Sequence, residues 1–184
     1  MRILGISGSL RKDSHNTALL RAAAELLPPG VQLEVFDGLR DVPPYDADED
    51  VPELWAPGVL ALKDAISGAD AVLISTPEYN HSIPGVLKNA LDWASRPVNE
   101  SVLRGKPTAV VGASTGLFGA VWAQAEVRKV LGAMGAEVVD RELPVMQAHL
   151  QFDDEGALHA EDVRDQLAEH VTALVRATRE KVAA

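Results

Sequence analysis

The chain has 184 residues, of which 47% are hydrophobic, 24% charged and 4% aromatic, the make-up of one soluble globular domain able to bury its own core. It contains no cysteine, which excludes disulfides, thiolate metal sites and thiol nucleophiles, so redox chemistry would have to come from a cofactor. A formal charge of −10 argues against nucleic acid or an anionic membrane as partner, because both are bound through a basic footprint.

Arg2 to Ser7 reads as a first strand, ending in Gly8-Ser9. Asn16 to Leu27 reads as a helix, with Leu19, Ala22, Ala23, Leu26 and Leu27 at three- and four-residue spacing, Asn16 or Ser14 as cap, and Pro28-Pro29-Gly30 as its stop. Val31 to Phe36 alternates like an outer strand, and Asp37 to Pro52 is an acidic loop. Trp55 to Ser67 is a second helix, and Ala69 to Ser75 is a continuously apolar strand that must be buried on both faces. Pro84 to Ala94 is a third helix with proline at its first turn, and Thr108 to Gly112 a second buried strand. Gly119 to Met134 is a helix whose core-facing residues are expected among Val121, Trp122, Ala125, Val130 and Met134. Glu137 to Asp140 is a short strand, and Ala160 to Val182 the closing helix. Trp55, Trp93 and Trp122 all fall in helical stretches and read as core or interface side chains.

Strands and helices therefore alternate throughout, which predicts a single α/β domain over residues 1–184, a parallel sheet with helices on both faces. Ligands of such folds sit beyond the C-terminal strand ends, near the point where strand order reverses, which singles out the loops at 8–16, 75–83 and 112–119.

The first loop carries hydroxyls at Ser9, Ser14 and Thr17, the Asn16 amide, the Arg11 guanidinium and the N-terminus of a helix. That is the donor set a phosphate dianion needs. Ser14 or Asn16 alone reads as a helix cap, and Lys12 and His15 can face solvent; the whole cluster reads as a phosphate site. It matches neither the Walker A pattern nor Gly-x-Gly-x-x-Gly. In the second loop, Glu78, Tyr79 and Asn80 place an acceptor, an aromatic face and an amide on a backbone pinned by Pro77 and Pro84, suited to the edge of a flat heterocycle. The third loop is uncharged, with Ser114, Thr115 and Gly116 able to approach a ligand closely.

Gly112 to Gly116 also matches Gly-x-Ser-x-Gly, the nucleophile elbow of serine hydrolases, with Asp140 or Asp153 and His149 or His159 as partners for Ser114. That reading leaves the first loop without a task. The five histidines are scattered, so no metal is expected, and Asp46 to Asp50 lacks the spacing and glycine of a calcium loop. The N-terminal apolar run is too short for a signal peptide, and no stretch approaches the roughly 20 apolar residues of a membrane span; a cytoplasmic protein is the expectation.

Three groups of residues together resemble the NADPH-dependent FMN reductase family, over residues 2–140. They are Gly8-Ser9-Leu10-Arg11 with Ser14 and Asn16, then Pro77-Glu78-Tyr79-Asn80 running on to Ile83-Pro84-Gly85-Val86-Leu87-Lys88-Asn89-Ala90-Leu91-Asp92-Trp93, then Gly105-Lys106-Pro107 before a strand. The resemblance implies a flavodoxin-like three-layer sandwich, with a five-stranded parallel sheet of order 2-1-3-4-5. It implies noncovalent FMN, its phosphate on Ser9, Arg11, Ser14, Asn16 and Thr17 with His15 beside them. The isoalloxazine would rest against Pro77, Glu78, Tyr79 and Asn80, and Ser114, Thr115 and Gly116 would close the site. It further implies NADPH or NADH as electron donor to flavin N5 in a ping-pong mechanism, with quinones, flavins, chromate or azo compounds as acceptors. The flavin carries that chemistry, so no catalytic side chain is expected. A homodimer or homotetramer is implied, with Trp93 and the Gly119 to Met134 helix as contacts. A flavodoxin-type electron carrier is the alternative within the same fold.

The acids are unevenly placed. Residues 37–53 and 153–169 each hold seven acids and one base, together −12, so the rest of the chain is +2 and an anionic small ligand fits it.

Overall fold

The computed structural model describes residues 1–153 and 155–183; Asp154, one of the acids in the second run, lies outside the described residues. Six strands, β1 (Arg2–Ser7), β2 (Gln32–Phe36), β3 (Ala71–Thr76), β4 (Pro107–Ala113), β5 (Glu137–Val138) and β6 (Pro144–Val145), form one parallel sheet. Five α-helices accompany them: α1 (His15–Glu25), α2 (Pro57–Ser67), α3 (Gly85–Ala94), α4 (Val121–Ala133) and α5 (Glu161–Ala183). The strand order is β2-β1-β3-β4-β5, with β6 also paired to β4. This is the flavodoxin-like order expected, with one correction. The fifth position is filled by two fragments: β5 pairs with Pro107 and Thr108, and β6 with Gly112 and Ala113. The predicted strand at 137–140 is accordingly only two residues long. Residues 140–142 swing away from the sheet, between Val139 and Leu143, which still hydrogen-bond to Thr108 and Gly112 of β4, and are held by ion pairs from Arg128 to Asp140 and Glu142 and from Arg141 to Glu169.

Side chains alternate between two cores. Ile3, Ala71, Leu73, Ala109 and Val111 face α1 and α5, whereas Leu4, Ile6, Val72, Ile74 and Val110 face α2, α3 and α4. Every residue of β3 and β4 is buried, as their uninterrupted apolar runs required.

Three local expectations change. Helix α2 begins at Pro57, so Trp55 stands before it, where Lys63 lies over the indole at 4.2 Å. The buried face of α4 is Ala123, Gln124, Val127 and Leu131; Trp122 and Ala125 are exposed. The acidic segment 37–52 contains short 3-10 turns at Gly38–Asp41 and Ala47–Glu49, followed by another at Pro52–Leu54, and it is buttressed by α3. Asn89 donates to the Pro43 carbonyl and accepts from the Tyr45 N–H, both at 2.8 Å, and Trp93 Nε1 donates to the same carbonyl at 2.9 Å. In the Pro84–Trp93 stretch of the family signature, Asn89 and Trp93 therefore hold the acidic segment in place.

His170 on α5 is 2% exposed. Burial, with the charges of Arg141 and Arg128, lowers its pKa from the usual 6.5 to about 4, against the opposing pull of a hydrogen bond to the Val110 backbone. The unfolded chain thus takes up a proton as pH falls through 6.5, while the folded chain resists until about 4. Stability is expected to drop across that window, by about 3 kcal/mol in total from this group. His170→Gln should remove that part of the slope; urea unfolding of both proteins between pH 7 and pH 4 measures it, and parallel slopes would refute the assignment.

Candidate functional site

Strand order reverses at β1, with β2 on one side and β3 on the other, so the turns leaving β1, β3 and β4 meet at one end of the sheet. The Gly8 N–H donates to the Ser75 carbonyl at 2.8 Å, which sets the first two side by side. Together the three loops enclose a cavity of about 170 Å³. Of the residues singled out from sequence, Ser9, Arg11, Ser14, His15, Asn16, Pro77, Glu78, Tyr79, Ser114 and Thr115 line it. Thr17, Asn80 and Gly116 do not. Ala113, whose small side chain gave no signal, does.

At the first loop, Ser14 is the N-cap of α1, its Oγ accepting from the Asn16 N–H at 3.2 Å. Asn16, 3% exposed, spends its side chain on the protein: Nδ2 donates to the Ala113 carbonyl at 2.9 Å, and Oδ1 accepts from Ser75 Oγ at 2.9 Å and the Ala113 N–H at 3.0 Å. Thr17 donates to Ser7 Oγ at 2.9 Å beneath the loop. The loop's free donors are therefore the Ser9 and Ser14 hydroxyls and the exposed Arg11 guanidinium, beside the positive end of α1. The His15 ring stacks on Phe152 with centroids 5.5 Å apart. Burial first, then Arg11 and His149, lower its pKa, so near neutral pH it is an uncharged wall.

The second loop makes a tight turn, with Tyr79 and Ser82 exchanging backbone hydrogen bonds across Asn80 (φ 53°) and His81 (φ 59°). Two consecutive left-handed residues are the signature of a type I′ turn, where Asn is at ease and His is strained. Glu78 reaches away from the turn: Oε2 accepts from the N–H groups of Trp122 and Ala123 at 3.0 and 3.1 Å. It supplies from outside the cap that α4 lacks, since the α4 N-cap residue is Ala120 in the left-handed region. His81 packs edge-on against Trp122 at 4.8 Å, and Trp122 against Phe118 at 4.8 Å. Tyr79, Leu117, Phe118 and Trp122 are all exposed, an apolar rim beside the cavity. The sequence reading missed Leu117, Phe118 and the outward face of Trp122; two large apolar residues in a loop between Gly116 and Gly119 were the available signal.

The third loop is held from below by the fully buried Gln124, which donates to the Gly119 carbonyl and accepts from the Leu143 N–H. Ser114 Oγ accepts from the Gly116 N–H at 3.0 Å, and no histidine among the described residues hydrogen-bonds to it. Ser114 has no positive φ, Asp140 is paired with Arg128, and Asp153 accepts from the N–H groups of Glu155 and Ala157. A nucleophile elbow needs a strained serine joined to a base, and this loop has neither. What the cavity offers instead is anion donors on the first loop and, on the other two, the Tyr79 ring and loop backbone with the Glu78 carboxylate bound to the N-terminus of α4, a fit for a flat ring carrying a phosphate.

Asn16→Ala would leave the Ala113 N–H and carbonyl and the Ser75 hydroxyl unpaired in the interior. A loss of about 3 kcal/mol is expected by urea denaturation, and a loss below about 1 kcal/mol would show that the tie is replaceable.

Residues 1–150 match the family described as NADPH-dependent FMN reductase. An NAD(P)H-dependent FMN reductase of Pseudomonas aeruginosa is 42% identical over 176 residues, covering 95% of this chain and 93% of that protein. A 2-hydroxy-1,4-benzoquinone reductase of a Burkholderia species is 41% identical over 170 residues, covering 91% of this chain and 90% of that protein. The solved structure of a flavoenzyme NAD(P)H:(acceptor) oxidoreductase from Paracoccus denitrificans superposes with a TM-score of 0.82 at 35% identity, covering 97% of both chains. With its sheet order, its three loops and these matches, the chain belongs to the NADPH-dependent FMN reductase family, oxidoreductases that use FMN together with a reduced nicotinamide.

Proposed function

We propose that the chain passes electrons from NADPH or NADH to quinones or similar small acceptors at the cavity formed by its three loops. The observation that carries this reading is that one cavity brings the donors Ser9, Arg11 and Ser14 of the first loop against Pro77, Tyr79, Ser114 and Thr115 of the other two, with Glu78 turned onto α4. Ser9, Arg11 and Ser14 hold the FMN phosphate, with His15 as a neutral wall. Asn16 and Thr17 act at one remove, by fixing the loop against Ala113, Ser75 and Ser7. Pro77, Glu78 and Tyr79 on one side and Ser114 and Thr115 on the other flank the ring system, while Asn80 and Gly116 shape the turns. Because the Glu78 carboxylate is engaged with α4, its loop meets the ring through backbone groups.

Bound FMN supplies the redox chemistry, taking two electrons and a proton as hydride and returning them to an acceptor. The protein orients the ring, and donor and acceptor use the same exposed face in turn, a ping-pong order. The exposed rim of Tyr79, Leu117, Phe118 and Trp122 suits contact with a second copy, as a homodimer or within a homotetramer. No helix among the described residues is long and apolar enough to cross a membrane, and a cytoplasmic location accords with this.

Purified protein is expected to carry flavin absorbance and to oxidise NADPH when a benzoquinone is added; flavin without turnover would indicate an electron carrier instead. Arg11→Ala should raise the FMN dissociation constant by about tenfold or more, since a charge-assisted contact to phosphate is lost. Quenching of flavin fluorescence measures it, and an unchanged constant would sink the phosphate assignment.

A further inference from the structure

A second cavity, of about 360 Å³, opens on the far side of the first loop, over the C-terminal end of β2. Its lining includes Arg11, Lys12, Arg21 and Arg40 but a single carboxylate, Asp37. All four cations are exposed, and among the described residues none has a carboxylate oxygen within 4.0 Å. In a chain with 27 acids and 17 bases, four cations against one carboxylate make this groove locally positive, while Arg11 and Arg21 also border a neighbouring cavity that holds Asp13, Asp153 and Glu155.

The inner wall is different in kind. Leu10, Val35, Phe36 and Leu39 line it, Leu39 fully buried and the others half-buried. Arg40 donates to the Leu10 carbonyl at 3.1 Å, which fixes one side of the slot. An apolar slot with a cationic rim takes a flat ring bearing phosphate, and its volume lies at the lower end of the roughly 300–1,000 Å³ typical of small-molecule sites. Ser9 and Arg11 line this groove and the FMN cavity alike, so the two share a wall.

Resting on the reading of the first cavity as the FMN site, we propose that this groove binds the adenosine end of the nicotinamide donor. In this reading Lys12, Arg21 and Arg40 recognise the ribose 2′-phosphate and so favour NADPH over NADH. The two donors differ only in that phosphomonoester, and a doubly charged group facing several unpaired cations discriminates between them strongly. The FMN phosphate is a phosphomonoester too, so the test must separate the two.

Adenosine 2′,5′-bisphosphate and AMP are titrated calorimetrically into FMN-saturated protein and into the Lys12→Ala/Arg21→Ala variant, whose two altered side chains are exposed. The expected result is bisphosphate binding about tenfold or more tighter than AMP, with the difference lost in the variant and its FMN dissociation constant unchanged. In steady state the variant's kcat/KM for NADPH should fall by about tenfold and that for NADH stay put. Equal affinities for the two nucleotides would overturn the proposal. So would bisphosphate binding that vanishes once FMN is saturating, or a variant whose FMN affinity falls by the same factor, since the groove would then be the flavin's own phosphate site. FMN titration of the same samples reads the first cavity separately: FMN bound without 2′-phosphate discrimination refutes the groove and leaves the flavin site standing.

Discussion

The side chain of Asn16 is wedged between the start of α1 and the ends of β3 and β4. It accepts from Ser75 Oγ and the Ala113 N–H and donates to the Ala113 carbonyl. Inside a protein, where the dielectric is low, such bonds are strong when complete and costly when one partner is missing, so the amide holds the first and third loops at a fixed separation. Everything at the cavity mouth depends on that spacing. Ser14 caps the same helix turn, and Ala113, anchored by Asn16, opens the third loop. The Asn16 side chain is thereby committed to the framework, whereas the Ser9 and Ser14 hydroxyls and the Arg11 guanidinium donate to no protein group among the described residues.

A similar exchange between elements governs the second loop. Glu78 caps α4 from across the gap, so a carboxylate that would otherwise face an anionic cofactor is turned onto a helix N-terminus, where its charge is compensated. Acids of the 37–53 run are held elsewhere too. Asp50, in the acidic run, receives the Tyr45 hydroxyl and lies 3.9 Å from Arg96, on a segment held by Asn89 and Trp93. Glu78 and Asp50 thus spend their charge on a helix N-terminus and on Tyr45 and Arg96 instead of facing the cavity.

Much of this was legible in the sequence, and the limits have physical causes. The unbroken apolar runs of β3 and β4 and the turn residues between elements identified the sheet and the three loops, because burial on both faces leaves a pattern that needs no partner to interpret. Asn16 and Glu78 were found as polar residues in the right loops, but their partners lie 59 and 97 residues from Asn16 and 44 and 45 from Glu78, and no local spacing encodes such distances. Both line the cavity, as expected of ligand contacts, but the bonds their side chains make within the protein could not be read from the sequence. The face of α4 was misjudged because Trp122 is large and apolar: hydrophobicity alone put it inward, whereas the small Ala123 and polar Gln124 are what fit beneath β4 and the third loop. The split of the fifth strand was invisible for the converse reason, since two-residue strands have no periodicity to detect.

That split bears on solubility. A parallel sheet ends in rows of unpaired backbone groups, and a long, flat edge invites a foreign strand to add itself. Here the outer side of β4 meets two fragments instead, separated by a charged excursion at 140–142. Across the sheet, β2 shows Gln32 and Glu34 to solvent. A neighbouring chain finds no register to continue on the β4 side, so runaway stacking into aggregates is blocked there by the same irregularity that makes the fold look imperfect.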